Sequence, residues 1–148
     1  MVAARWQAVA GATSVGLRFE PEGDGWRVAS YLDGDGDGIR TSDIRSGRDT
    51  PSAPAFRPGD GHGSVRFGIP PGVRLPRVPP STGWIEAGED PIRFGSSDIA
   101  SFSPLGSATS GTAYLTDRAG RLAAVVVYGP TARVRVWMFD AQAGEWRR

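Results

Sequence analysis

The chain has 148 residues, among them 21 glycines and 12 prolines, and a formal net charge of +1 at pH 7; this length is typical of one turn-rich domain. It contains no cysteine, and all 17 basic residues are arginine, which excludes disulfides, thiolate metal sites, cysteine nucleophiles and lysine Schiff-base chemistry. The near-neutral charge excludes a strongly cationic nucleic-acid binder on bulk charge, and a hydrophobic fraction of 39% suffices for one modest core.

No stretch of the chain has the composition of a targeting or membrane-spanning segment. Residues 1–7 lack the apolar run of a secretory signal, and the longest apolar run, residues 122–128, is far shorter than the ~20 residues of a membrane helix. The chain as written therefore carries no recognisable export signal.

The first elements are a short helix and a hairpin. Residues 3–10 are good helix formers, and Gly11 follows at the position where helices commonly end. The hydrophobic period then changes to two, which places Val15, Leu17 and Phe19 on one face of a strand. A Gly-rich turn over residues 21–25 and a second alternating run over 26–32 complete the predicted hairpin.

The middle of the chain, residues 46–90, is interrupted by eight prolines and many glycines. Because proline removes a backbone donor, such sequence disfavours central strands and regular helices. We expect a long excursion that contains one or two short strands and no regular helix.

The last third of the chain has the clearest strand pattern. Short strands are predicted over 92–94 and 99–102, and longer ones over 111–116, 122–128 and 133–139. In the last of these, alternation predicts that Val134, Val136 and Met138 face the core. The same pattern turns Arg133, Arg135 and Trp137 outward.

Together these elements predict a mainly β protein of the α+β class. The tail of an N-terminal helix would pack on antiparallel sheets with about seven to nine strands. We expect a single domain, 1–148, with five segments: the end of the helix (1–11), the hairpin with an acidic loop (12–45), the Pro/Gly-rich excursion (46–90), the C-terminal sheet (91–139) and a tail (140–148).

The acidic loop after the hairpin is the sharpest local motif. An EF-hand-type calcium loop takes carboxylates at positions 1, 3 and 5, glycine at 6, a carbonyl at 7 and a carboxylate at 12. Residues 33–39 meet the first five requirements. Position 12 is Ile44, so the last carboxylate would come from Asp43, one position earlier, and Asp49 is another possible ligand. No cofactor is required by the sequence; calcium is a possible one, and an ordinary acidic surface turn is the alternative. The candidate ligands are Asp33, Asp35, Asp37, Ile39 and Asp43.

Catalytic constellations are poorly represented. The single histidine, His62, lies in glycine-rich loop sequence, and no Gly-x-Ser-x-Gly elbow accompanies it. The acids Glu86, Glu89 and Asp90 are typical of a loop rim rather than of a glycosidase pair. The sequence therefore predicts a protein that is not an enzyme and that has no small-molecule substrate.

An arginine and aromatic stripe near the C-terminus offers a different function. Arginines on one strand face beside aromatic rings can bind phosphate backbone and stack on bases. A solvated strand face and ordinary packing of the tryptophans are the alternative. The candidate DNA-binding residues are Arg133, Arg135, Arg147 and Arg148, beside Trp137 and Trp146; the other tryptophans are Trp6, Trp26 and Trp84.

The order of these elements resembles a known family. A helix tail runs into a hairpin, and a series of short motifs follows over residues 102–135: Ser-Pro-Leu-Gly from Ser103, Gly-Thr-x-x-Leu from Gly111 and Gly-x-x-x-Arg-Val from Gly129. This arrangement is similar to the globular domain of GspH/FimT-type minor pseudopilins of type II secretion and type IV pilus systems. The resemblance covers most of the chain outside residues 46–90.

The resemblance implies a structural subunit of a periplasmic filament that serves protein secretion. Its partners would be other pseudopilins or pilins and secreted cargo, contacted through the helix residues Trp6 and Val9, the β face and the 46–90 excursion. It also implies a periplasmic domain of a protein anchored in the inner membrane through an apolar N-terminal half-helix, which the 148 residues do not contain. The FimT-like alternative is a pilus subunit that binds DNA through the C-terminal arginines.

Overall fold

The computed structural model describes residues 1–61, 63–117 and 119–148. The protein is mainly β, with 42% of its residues in strands and 13% in helices, and every strand pairing in the described part is antiparallel. The expected fold class is thus confirmed. The strand count was too low, because the described residues form twelve strands rather than seven to nine.

The elements follow one another along the chain with short connections. The helices are α1 (Val2–Gly11) and α2 (Thr41–Ser46), and a 3-10 turn covers Gly129–Thr131. The first six strands are β1 (Val15–Glu22), β2 (Gly25–Leu32), β3 (Thr50–Phe56), β4 (Arg66–Phe67), β5 (Arg74–Pro76) and β6 (Trp84–Glu86). The last six are β7 (Ile92–Arg93), β8 (Ile99–Phe102), β9 (Gly111–Thr116), β10 (Leu122–Tyr128), β11 (Arg133–Asp140) and β12 (Glu145–Arg147).

Two sheets and a two-stranded ribbon organise these strands. The first sheet has the order β3-β2-β1-β8, and the second has the order β12-β11-β10-β9-β4 with β7 also paired to β9. The ribbon consists of β5 and β6. Strands β7 and β8, neighbours in the sequence, therefore lie in different sheets.

Helix α1 packs on β1 and β8 of the first sheet through alanines. Ala4 and Ala8 are buried, and because they are four residues apart they lie on one side of the helix. The helix ends at Ala12, which takes the left-handed conformation with φ of 49° and donates its N–H to the carbonyls of Ala8 and Val9. The predicted helix is confirmed, but its left-handed end residue is Ala12 rather than Gly11.

The first core lies between the two sheets and α1. Phe19 stacks on Phe94 with ring centroids 5.4 Å apart and meets the edge of Phe67 at 5.5 Å. Gly111 makes room for this packing, because a Cβ there would lie 2.3 Å from the Phe94 ring. The predicted inward face of β1 is confirmed. The buried residues of the first core are Ala4, Ala8, Val15, Leu17, Phe19, Val28, Ile92, Phe94, Ala100, Phe102, Ala113, Val127 and Ala132.

A second core covers the opposite face of the second sheet. Here the ribbon β5-β6 and its flanking loops pack against β9, β10, β11 and β12. The excursion 46–90 is therefore structured: it contains β3 to β6, four strands where one or two were expected. The buried residues of the second core are Leu75, Val78, Ile85, Tyr114, Leu122, Ala124, Val126, Trp137 and Trp146.

This second core overturns the predicted burial along β11. Trp137, expected outside, is only 7% exposed, whereas Val136 and Met138, expected inside, are 56% and 49% exposed. The alternation itself is intact, and Val134 packs on the first core as predicted. The reason is that the excursion covers the face that carries Trp137, whereas Val136 and Met138 remain half open to solvent on the other face.

Candidate functional site

The acidic loop brings three of its five predicted ligands together. Carboxylate oxygens of Asp33, Asp35 and Asp37 all lie within 4.8 Å of one another. Asp33 Oδ1 accepts the N–H groups of Asp35 and Gly36 at 3.2 and 2.7 Å, and Asp33 Oδ2 accepts that of Gly38 at 2.9 Å. Burial disfavours the ionised Asp33, but these backbone donors outweigh it and lower the pKa of its carboxyl group. Both Asp33 oxygens therefore already have partners within the loop.

Arginines neutralise the other two carboxylates. Arg40 Nη1 lies 2.5 Å from Asp37 Oδ2, and Arg48 Nη1 lies 3.8 Å from Asp35 Oδ2. Desolvation and a hydrogen bond with Asp35 raise the pKa of Asp37, whereas the charge of Arg40 opposes this rise. Since each acid has a cation or backbone donors beside it, the three carboxylates can coexist without a metal ion.

Of the two remaining predicted ligands, Asp43 is not part of this carboxylate group. Asp43 is in the first turn of α2, where its buried carboxylate faces Arg48 at 3.5 Å. The side chain of Ile39 packs on Gly16 of β1, where a Cβ would lie 2.7 Å from it. The structure thus places the expected last acid of the calcium loop in an ion pair inside a helix that the sequence did not predict.

Asp49 is the residue that holds the loop in place. It is 1% exposed, and its two carboxylate oxygens accept the N–H groups of Gly34 at 3.3 Å and Arg40 at 3.0 Å. Gly34 in turn lies so close to the backbone of Arg48 that a Cβ at position 34 would fall 1.9 Å from the Arg48 carbonyl oxygen. The sequence suggested Asp49 only as another metal ligand, and no local pattern signals its backbone contacts 15 and 9 residues away.

The four arginines of the predicted stripe occupy three different environments. Arg147 lies 3.3 Å from Asp140 and 3.2 Å from Glu145, so its charge is already compensated. Arg148 stacks over the Trp137 ring at 4.7 Å. Arg133 and Arg135 pair in register with Tyr128 and Val126 of β10, and neither forms an ion pair in the part of the chain that the structure describes.

Helix α1 presents a second, exposed apolar side. Trp6 is 63% exposed, and Val2 and Val9 are also open to solvent. Spacings of four and seven residues place these three side chains on one helix face, opposite the buried alanines. Arg5 lies 5.8 Å from the Trp6 ring.

An apolar groove continues from this helix face. The groove has a volume of about 360 Å³ and runs along the open side between the two sheets. Its walls include Val2 of α1 together with the partly exposed Phe56, Val65 and Val136. We name the helix face and this groove together the apolar docking surface, defined by Val2, Trp6, Val9, Phe56, Val65 and Val136.

The remaining candidate acids take part in surface ion pairs and turns. Glu86 lies 3.1 Å from Arg74, and Glu89 bridges Arg77 and Arg93. Asp90 accepts the Ile92 N–H at 2.9 Å. His62 lies outside the described residues.

Among the described residues, no helix combines the length and apolar character needed to cross a membrane. Comparison of the chain with protein-family models, with curated protein sequences and with solved structures finds no match.

Proposed function

We propose that this chain is the globular domain of a minor pseudopilin, a non-enzymatic subunit of a periplasmic filament that serves protein secretion. The observation that carries the proposal is the pair of apolar faces on α1. Ala4 and Ala8 are buried on the first sheet, while Val2, Trp6 and Val9 are exposed on the opposite side. A helix that is apolar on both sides is adapted to lie between its own sheet and a neighbouring subunit.

The apolar groove extends the same surface. Large contiguous patches of exposed apolar side chains usually mark interaction sites, whereas single exposed apolar residues are ordinary features of a protein surface. The helix face and the groove share Val2, so one neighbouring element can bury both. In this proposal the partners are other pseudopilins or pilins of the filament, together with secreted cargo, and the domain acts in the periplasm.

The test is a charge placed on the helix face in the native host. Trp6→Asp and Val9→Asp should abolish filament-dependent secretion without lowering the amount of folded protein, because a carboxylate would be buried at the interface. Gln7→Asp is the matched control: it adds the same charge to the same helix, outside the face formed by Val2, Trp6 and Val9, and should leave secretion unchanged.

A photo-reactive amino acid at position 6 identifies the neighbour. We expect an ultraviolet-dependent adduct with another pilin-like subunit, and no such adduct from position 7. Normal secretion by the Trp6→Asp, Val9→Asp double variant, together with no adduct to any filament subunit, would contradict the proposal.

DNA binding by a pilus subunit is the alternative, favoured by one observation. Arg133 and Arg135 lie on one face of β11, and neither forms an ion pair in the described part of the chain. Because Arg147 is paired with two carboxylates, fewer than four phosphate contacts are expected, and affinity near physiological salt should be low. Fluorescence anisotropy with labelled DNA over a salt series measures this. Sub-micromolar binding that Arg133→Ala and Arg135→Ala weaken, with a salt slope flattened by about 1 per lost contact, would rank the DNA function first.

A further inference from the structure

A half-open cavity with two arginines in its lining lies on the second sheet, away from the apolar docking surface. Its volume is about 300 Å³. The loop after β5 contributes one side of the cavity, and β7, β9 and β10 contribute the other. Six lining residues matter for its chemistry: Arg77, Arg93, Ser110, Thr112, Tyr114 and Tyr128. We name this cavity the arginine pocket.

The lining of the arginine pocket has positive charge and hydroxyl groups. Two guanidinium groups contribute to it, together with the four hydroxyl-bearing side chains named above and that of Ser81, and none of its described lining residues carries a carboxylate. Glu89 reaches both guanidinium groups from outside the lining, at 2.5 Å from Arg93 Nη2 and 3.6 Å from Arg77 Nη2. Because one carboxylate serves two arginines, one positive charge remains uncompensated.

Arg93 carries a hydrogen-bond donor that its surroundings do not satisfy. Its Nε–H is buried and has no acceptor among the described residues. Buried donors are nearly always paired in folded proteins, so an unpaired one marks a place where an acceptor is favourable. On a guanidinium group, the strongest acceptors are the oxygens of carboxylate and phosphate groups.

Two hydroxyl groups of the lining are oriented by the backbone. Ser110 Oγ accepts the Gly129 N–H at 3.0 Å, and the Tyr114 hydroxyl oxygen accepts the Val78 N–H at 3.3 Å. A hydroxyl oxygen that accepts from the backbone keeps its own proton to donate. These groups therefore add neutral donors beside the two arginines.

The strand register adds two further arginines to the same face. Arg93 pairs with Thr112, Thr112 pairs with Val126, and Val126 pairs with Arg135. Arg133 lies opposite Tyr128, which lines the pocket. Since directly paired residues point to the same face of a sheet, Arg133 and Arg135 raise the positive potential around the pocket opening.

We propose that the arginine pocket binds a small molecule through a terminal oxyanion, a carboxylate or a phosphate group. The oxyanion accepts from the guanidinium groups that line the pocket and from the hydroxyl groups, and its charge offsets the guanidinium charge that Glu89 leaves uncompensated. A cavity of about 300 Å³ is at the lower end of small-ligand sites, which favours a small ligand over a chain of nucleotides. This proposal does not rest on the filament function.

The test is an NMR titration of the intact chain with sodium phosphate and, separately, with sodium acetate. Sodium chloride keeps the ionic strength constant in every sample, so a general salt effect is cancelled. We expect saturable shifts of the Arg93 Nε–H signal and of the Thr112 and Tyr128 amides. The stronger of the two probes identifies the oxyanion class.

Variants assign the binding to the pocket. Arg93→Gln should weaken binding by about tenfold or more, the loss expected for one charge-assisted hydrogen bond. Arg74→Gln is the matched control, because Arg74 is ion-paired with Glu86 and does not line the pocket; it should bind normally. If Arg93→Gln does not fold, Arg77→Gln takes its place, with the same tenfold expectation.

Three results would overturn the proposal. The first is the absence of saturable shifts with both probes. The second is an equal loss of binding in Arg74→Gln and in the pocket variant. The third is a short oligodeoxynucleotide that binds much more tightly than either probe and loses its binding in the pocket variant, which would assign the arginine pocket to nucleic acid.

Discussion

Tyr114 joins the excursion to the second sheet. Its side chain is almost completely buried, its hydroxyl oxygen accepts the Val78 N–H at 3.3 Å, and its ring lies 5.9 Å from that of Trp146. Burial raises the pKa of the Tyr114 hydroxyl group, and the Val78 N–H only partly offsets the rise. One side chain thus couples a strand to a loop 36 residues earlier in the chain.

The Tyr114→Phe variant should be less stable at pH 7. The Val78 N–H would remain buried without an acceptor, which costs about 1–3 kcal/mol. Urea unfolding measures the loss. Tyr31→Phe is the control, because the described residues offer the half-buried Tyr31 hydroxyl no hydrogen bond, and this variant should change the free energy of unfolding by less than about 0.5 kcal/mol. Equal losses in the two variants would contradict the role of the Val78 contact.

The raised pKa of Tyr114 also predicts a pH dependence. The folded-state pKa lies above the unfolded value of about 10, so the unfolded chain loses this proton first as the pH rises. The contribution of the neutral phenol to stability is complete below pH ~10 and is lost as the pH rises through the folded-state pKa. Unfolding free energies measured from pH 8 to pH 11 should therefore fall more steeply for the wild type than for Tyr114→Phe. Parallel curves would show that burial of Tyr114 does not shift its pKa.

The acidic loop should behave as a turn held by its own backbone. Asp33→Ala should lower the free energy of unfolding by about 0.5–1.5 kcal/mol, because three N–H groups exchange the Asp33 carboxylate for water. Asp35→Ala should cost much less, since the Asp35 carboxylate contacts the exposed side chains of Asp37 and, at 3.8 Å, Arg48. Equal melting temperatures in millimolar calcium, magnesium and EDTA are expected for the wild type. A calcium-specific rise of a few degrees would instead support the metal site that the spacing of the acids suggested.

At the scale of elements, the high proline content of residues 46–90 led to too few predicted strands, and the ribbon β5-β6 lies in this segment. Leu75 and Ile85 are fully buried and alternate with exposed or partly exposed neighbours. Pro76 lies at the end of β5, where its missing N–H does not interrupt a long ladder. The Pro76 carbonyl also accepts the Trp146 indole N–H at 2.7 Å, so the ribbon is tied to the C-terminal strand.

Truncation of the ribbon core should destabilise the whole domain. Leu75→Ala and Ile85→Ala should each cost about 2–5 kcal/mol, the range for buried large-to-small changes. Trp84→Ala, next to Ile85 but half exposed, is the control and should cost much less. Urea unfolding measures all three. If the ribbon variants unfold at the wild-type urea concentration, the excursion does not contribute to the core.

At the scale of the molecule, the second sheet is shared by two cores. Strands β9 and β10 place Ala113 and Val127 in the first core and Tyr114 and Val126 in the second. Because successive side chains of a strand point to opposite faces, both cores pack on the same two strands, and we expect the loss of one core to destabilise the other.

This shared sheet predicts a single cooperative unfolding transition. Tryptophan fluorescence, to which Trp137 and Trp146 in the second core contribute, should change at the same urea concentration as the far-ultraviolet circular dichroism of all strands. Two separate midpoints would show that the excursion and its core form an independent unit. Circular dichroism should also show strand as the main component, in line with its 42% share of residues.

Local patterns were sufficient for the elements that depend on neighbours in the sequence. Helix α1 follows from a run of helix-forming residues that ends at a glycine. The hairpin β1-β2 and the strands β9 to β11 follow from strand-type apolar patterns bounded by turn residues, and the three clustered carboxylates follow from a spacing of two residues. In each case the determining interactions lie within one element or one turn. Local sequence therefore determined where these elements form and which side chains share a face.

The tertiary structure alone decided which faces are covered and which charges meet. Trp137 is buried and Val136 exposed because residues 69–86, more than fifty positions earlier, pack on one face of β11, and no local pattern encodes that choice. For the same reason Asp49 holds the acidic loop, and Arg77, Glu89 and Arg93 meet beside the arginine pocket. Hydrophobic periodicity specifies which side chains share a face of an element. Whether that face is buried, and which charges lie beside it, depends on the distant segments that pack against it.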